Sequence, residues 1–232
     1  MRSNRRIADL AIAACVDSYY QYGVIATGHE TYARAKTLNV DNSQVTVYRG
    51  DKVNILAFRG TDDPQDWMEN FDLWPARAHK AHAYEAMRPF VPAQEAKVHG
   101  GFYKTYKRLQ PSLRTIIDDL DDQDSRWLLT GHSMGGAVAC IAAMAMRWEH
   151  DPDVVTFGAP RWGNQHACWI ANQKTRSMLR FVNNCDLVPA LPSPLGPWRH
   201  SSPAIKLHGD ECNPFSAHLV FDYRVGLVRY TG

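Results

Sequence analysis

Residues 127 to 146 form a stretch of 20 without a single Asp, Glu, Lys or Arg, and no other feature limits the possible folds as strongly. The stretch is long enough to span a membrane as a helix, but Gly131, His132, Ser133, Gly135 and Gly136 fall in its middle and only the half after them is helix-like. It reads instead as a buried strand, a tight turn and a buried helix. A strand apolar on both faces belongs in a mostly parallel sheet with helices on both sides. The flanking chain agrees. Residues 45–48 and 53–58 are β-rich runs around Arg49, Gly50 and Asp51, the composition of a hairpin turn, which places an antiparallel edge early in the chain. Leu109, Leu113, Ile116, Ile117 and Leu120 recur at helical spacing just before the buried strand at 127–130. A helix over 136–148 follows, then strands at 154–157 and 178–182 alternating with a helical stretch at 165–172. At the N-terminus Ile7, Leu10, Ala11 and Ala14 line one face of an amphipathic helix. Five prolines between 189 and 203 make that segment an irregular surface loop. The expected class is α/β, and with 232 residues, no linker and no repeat, residues 1–232 read as one domain.

Charge and cysteine usage narrow the partners. Lys and Arg total 26 against 24 Asp and Glu, a net charge of +2, and no run of one sign is long enough to track a phosphate backbone, so nucleic acid is not expected as a partner. Five cysteines (Cys15, Cys140, Cys168, Cys185 and Cys212) are an odd number without a CxxC pair, which indicates neither a disulfide framework nor a zinc ribbon. A reducing, cytoplasmic setting is the expectation. The competing reading is export, because Arg2, Arg5 and Arg6 precede an apolar stretch ending Ile12-Ala13-Ala14-Cys15, although Asp9 interrupts it. His208 and Cys212 with His200 or His218 match no standard zinc spacing, so no metal is expected.

Gly131, His132, Ser133, Met134 and Gly135 spell GxSxG, a weak signal alone. It carries chemistry when it joins a strand to a helix, because the sharp turn strains the serine backbone and tolerates only small residues two positions either side. Here the strand precedes and the helix follows, so Ser133 stands at a helix N-terminus, where free N–H groups favour developing negative charge. A serine hydroxyl needs a base and an orienting carboxylate to become a nucleophile. Asp153 lies at the start of its strand, on the wrong edge of a parallel sheet. Asp186 follows the strand at 178–182 at its carboxyl end, where such sheets build sites. Among ten histidines, His200, His208 and His218 come late enough for the chain order serine, acid, histidine, and spacing does not separate them.

Several ordered motifs add a resemblance: Phe58-Arg59-Gly60-Thr61, Val98-His99-Gly100-Gly101-Phe102, GHSMGGAVA over 131–139, VVTFGAPRWGN over 154–164 and RFVNNCDLVPALP over 180–192. Between about residue 48 and about residue 225 the chain resembles the class 3 lipase family, the filamentous-fungal type of α/β-hydrolase. The resemblance implies that Asp186 is the triad acid and that His218 is the base, although Ala217 stands where the family has Asp. It also implies an oxyanion hole made by the Met134 N–H with the N–H and hydroxyl of Thr61. The activity implied is serine carboxylester hydrolysis of lipid esters through an acyl-enzyme, needing no cofactor, with other acyl esters or a non-catalytic lipid- or partner-binding role as alternatives.

After Thr61, Asp63 and Pro64 form a helix start with Asp66 in its first turn, and Trp67, Phe71 and Trp74 then share one face. In the resembling lipases a helical lid lies at this point. Residues 62–75 are accordingly expected to cover the site in water and to bind a lipid interface when open, the alternative being a helix packed permanently on the core. Residues 76–94 carry no assignment.

Overall fold

The computed structural model describes residues 2–27, 31–60, 79–80, 96–120 and 125–230. The helix α1 (Arg2–Tyr20) leads into four strands, β1 (Val24–Ala26), β2 (Thr31–Val40), β3 (Ser43–Tyr48) and β4 (Val53–Phe58). Two short strands, β5 (His79–Lys80) and β6 (Lys97–Val98), pair with each other apart from the main sheet. Then come α2 (Gly100–Leu120), β7 (Arg126–His132), α3 (Met134–Ala145), β8 (Asp153–Phe157), α4 (Gln165–Gln173), β9 (Ser177–Asn183), β10 (Ala204–Leu207) and α5 (Val220–Arg229).

The main sheet has eight strands in the order β1-β2-β3-β4-β7-β8-β9-β10. Pairings are antiparallel from β1 to β4 and parallel from β4 through β10. Strand alternation explains why the central runs are apolar throughout. Val45, Val47, Leu56, Phe58, Leu129 and Val154 face one layer, built with α2, α3 and α4. Tyr48, Ile55, Ala57, Leu128, Val155 and Phe157 face the opposite layer, with α1 and α5. Both faces of each central strand are therefore covered, the arrangement a parallel sheet requires. This is the α/β architecture expected, with helices on both faces.

The differences are local and physical. The strand β7 extends to His132 and α3 begins at Met134, so the turn between them is a single residue, tighter than the expected helix start at 136. The strand β2 has no clear sequence signal: Arg34 and Lys36 fall between Tyr32 and Leu38 where alternation calls for apolar residues, the register shifts there, and pairing with β3 holds it. The four-residue β10 is held likewise by β9. The proline-rich segment is irregular apart from a 3-10 turn at Val188–Ala190, but it is not wholly superficial, since Trp198 is buried edge-on against the His99 ring. Beyond the N-terminal arginines, α1 packs into the core from Ala8 to Val16, with Cys15 wholly buried and its Sγ 3.3 Å from Thr130 Oγ1.

Candidate active site

The carboxyl ends of β4, β7, β8 and β9 bring Gly60, Ser133, Gly158 and Asp186 to one rim of the sheet, where open α/β sheets place their sites. Ser133 is the one-residue link between β7 and α3, and its backbone takes φ 57° and ψ −132°. That region is unfavourable for a residue with a side chain and stores strain at the turn. The two glycines of the motif exist for space. A Cβ on Gly131 would lie 2.3 Å from the Gly135 carbonyl carbon, and one on Gly135 would lie 2.1 Å from the Phe58 carbonyl oxygen.

Ser133, His218 and Asp186 are all buried, and they form one hydrogen-bonded chain. Ser133 Oγ is 2.9 Å from His218 Nε2, and His218 Nδ1 is 2.8 Å from Asp186 Oδ2. A carboxylate only accepts, so Nδ1–H donates to it; with the ring neutral, Nε2 is left to accept the serine hydroxyl. Asp186 Oδ1 accepts the Val188 N–H at 2.8 Å, and Oδ2 accepts the Tyr223 hydroxyl at 2.6 Å. Tyr223 in turn accepts the Asn183 N–H at 3.1 Å. Burial first, and then the Asp186 charge, push the Tyr223 phenol well above its ordinary value, which keeps its proton available for donation. Gly158, at φ 61°, approaches all of this closely: a Cβ there would sit 2.9 Å from Asp186 Oδ2 and 3.1 Å from His218 Cε1.

A second network lies behind the first. His132 Nε2 is 2.6 Å from the His218 carbonyl oxygen, an acceptor, so this nitrogen carries the proton. Its Nδ1 then accepts from the Tyr19 hydroxyl at 3.0 Å, whose oxygen accepts the Gly60 N–H at 3.1 Å. Burial, then the neighbouring His218, hold His132 well below the ordinary histidine range, which keeps it neutral for this arrangement. A side chain from α1 thus links Gly60 to the backbone of His218.

The other sequence candidates are elsewhere. His200 donates from Nε2 to the Pro189 carbonyl at 2.9 Å, and His208 Nδ1 meets Asn184 Nδ2 at 2.9 Å. Asp153 is bound by Arg176 and Ser177 at the opposite edge of the sheet. Met134 opens α3, so its N–H lies in a first turn that has no intrahelical acceptor. Thr61, Trp67, Phe71, Trp74 and the whole of 62–75 lie outside the described residues. Among the described residues, no group of three or more His, Cys, Asp or Glu could hold a metal ion, and no helix is long and apolar enough to cross a membrane. Sequence reasoning misses the supporting roles of Tyr19, His132 and Tyr223, and quotes Asn183 only as part of the 180–192 motif; His132, inside the serine motif, carries a usable signal, and the two tyrosines carry none.

His200 makes a prediction about acid stability. Burial, and then the Arg180 charge, lower it from 6.5 to about 3. Between those values the unfolded chain binds a proton that the folded one refuses, so this contribution is intact above pH 6.5 and is lost as pH falls through the window. Unfolding in urea should show about 2 kcal/mol less stability at pH 5 than at pH 7.5 from this residue. His200→Asn should lose that share of the slope, and an unchanged slope would contradict the assignment.

A strained serine at a strand-to-helix turn, hydrogen-bonded to a histidine and an aspartate that arrive later in the chain, on the rim of a parallel sheet, defines the α/β-hydrolase class. Within that class the chain belongs to the lipase (class 3) family, whose model matches residues 55–195. It is 27% identical to secreted mono- and diacylglycerol lipase 1 of Fusarium solani over 158 residues, covering 67% of this chain and 44% of that protein. It is 34% identical to lipase A of Sodiomyces alcalophilus over 187 residues, covering 69% of this chain and 42% of that one. The chain thus spans less than half the length of these relatives. In structure it is similar to the triacylglyceride lipase of Rhizomucor miehei, with a TM-score of 0.69 and 24% identity over 89% of this chain and 79% of the other.

These relatives correct the expectation of a cytoplasmic protein, since the Fusarium solani relative is named as secreted. Cysteine usage misleads for a packing reason. Cys15, Cys140 and Cys168 are buried as small apolar side chains, so their unpaired state reports the core and not the redox compartment.

Proposed function

We propose that this chain is a serine carboxylester hydrolase of lipid esters that works outside the cell, with Ser133 as nucleophile, His218 as general base and Asp186 as the carboxylate that orients it. The observation that carries the reading is the 2.9 Å approach of His218 Nε2 to Ser133 Oγ at a backbone-strained turn. His218 takes the hydroxyl proton as Ser133 attacks the ester carbonyl, then delivers it to the departing alcohol, leaving an acyl-enzyme. Water repeats the cycle on the acyl group. Asp186, fixed by Val188 and Tyr223, stabilises the imidazolium formed in each half. The Met134 N–H at the head of α3 and Thr61 would receive the oxyanion, one such donor being worth about 3 kcal/mol in the barrier. Trp67, Phe71 and Trp74, on residues 62–75, would form the apolar face of a lid that opens onto a lipid surface.

A panel of p-nitrophenyl esters from short to long chain, alongside an emulsified diacylglycerol, tests this. Hydrolysis should be measurable, and turnover should rise from dissolved to emulsified substrate. Folded protein that hydrolyses none of them overturns the hydrolase reading, and turnover that does not rise overturns the lid.

A further inference from the structure

Two cysteines outside the buried core lie on the segments that carry Asp186 and lead into His218, and the fold brings those segments together. The parallel strands β9 and β10 run in register, with Leu207 beside Asn183. The chains leaving them stay together: Asn184 Nδ2 donates to His208 Nδ1 at 2.9 Å. The carboxylate of Asp222 clamps both, accepting Asn183 Nδ2 at 3.0 Å and the backbone N–H groups of Asp210 and Glu211 at 2.7 and 3.3 Å. The approach is close enough that a Cβ on Gly209 would lie 2.0 Å from Asp222 Oδ2. These two clamped segments carry Cys185, two residues beyond Asn183, and Cys212, next to Glu211, and bring the two thiols near enough for each to act on the other's ionisation. Cys185 is partly exposed and Cys212 exposed, so a small oxidant reaches them, unlike Cys15, Cys140 and Cys168. Cys185 directly precedes Asp186, and Cys212 lies on the segment that leads into His218.

We propose that Cys185 and Cys212 form a reversible disulfide that staples the Asp186 loop to the segment entering His218. Its value to the active site rests on the hydrolase reading, whereas the bond itself does not. The oxidant is a disulfide such as oxidised glutathione. One protein thiolate attacks a glutathione sulfur, expelling a glutathione thiolate and leaving a mixed disulfide. The second protein thiolate attacks the protein sulfur of that bond and expels the other glutathione. Two electrons pass to the oxidant, the two thiol protons go to the two departing thiolates, and one S–S bond replaces two S–H bonds. Desolvation, then Cys212 and Asp222, raise the Cys185 thiol above its ordinary value, so closure should quicken as pH rises above neutral.

The full chain is incubated at pH 8 with reduced or oxidised glutathione, and intact mass, a non-reducing digest and the melting temperature are read. The oxidised sample should lose about 2 Da, yield a peptide pair joined through Cys185 and Cys212, and melt about 5–10 °C higher than the reduced one, as expected for closing a loop of this length in a domain of this size. Cys212→Ser should show neither the joined pair nor the shift. Separate glutathione adducts on the two cysteines without a cross-link, or a cross-link that leaves the melting temperature unchanged, would overturn the staple. Ester turnover enters none of these readings, so failure of the hydrolase assignment is distinguishable from failure here.

Discussion

Ser133→Ala is expected to reduce ester turnover by about 10⁵- to 10⁶-fold and to abolish labelling by a fluorophosphonate, with the folded state retained. The reduction corresponds to about 7–8 kcal/mol of barrier. It is large because, on the proposed mechanism, the serine oxygen is the atom that bonds to the acyl group, and no neighbour could replace it. Asp186 only accepts hydrogen bonds here, and the His218 ring is held between Asp186 and the serine. What remains in the variant should come from substrate binding and from the proposed oxyanion donors, which the substitution does not touch. The fold should tolerate the change for two reasons. Alanine also carries a Cβ, and the bond that anchors the turn, from the Ser133 N–H to the Phe157 carbonyl at 2.9 Å, runs through the main chain. Far-UV circular dichroism and urea unfolding provide the check on folding. Turnover within tenfold of the parent, or continued covalent labelling, would remove Ser133 from the chemistry.

Gly135→Ala is expected to lower unfolding stability by about 3 kcal/mol or more, or to prevent recovery of folded protein. The added methyl would lie 2.1 Å from the Phe58 carbonyl oxygen, 2.8 Å from its carbon and 2.9 Å from the Arg59 carbonyl carbon. All three are backbone atoms, so no rotamer change relieves the overlap. Phe58 pairs with Gly131 in the register of β4 and β7, and moving it aside would separate the two strands at the rim that carries the site. Gly196→Ala is the control, because its nearest neighbour would be an ordinary contact at 3.5 Å. It should change stability by less than about 0.5 kcal/mol in the same urea titration. If both variants unfold alike, the glycine requirement of the motif is not steric.

The central strand, the turn and the following helix are legible in the sequence because a charge-free run interrupted by glycines has few other ways to satisfy its backbone. The place of Asp186 on the rim is legible because it follows a parallel strand at its carboxyl end. The place of the histidine is not. By spacing, His200, His208 and His218 are equivalent; the family resemblance points to His218, and the assembly of β9, β10 and the 3-10 turn at Ser216–His218 brings that ring to the serine while His200 and His208 bond elsewhere. The supporting residues are hidden for the same reason: Tyr19 comes from the first helix and Tyr223 from the last, and a tyrosine on a helix is ordinarily read as core.

The amino-acid sequence by itself determined the layer architecture, the strained serine and the edge of the sheet on which it stands, since these follow from local periodicity and from the small residues that a tight turn requires. Only the tertiary structure decided which hydroxyl steadies the carboxylate, which backbone groups hold the histidine and which two exposed thiols are brought near each other. Those pairings join residues far apart in the chain, and their distances are set by strand register and helix packing, which no short window of sequence encodes.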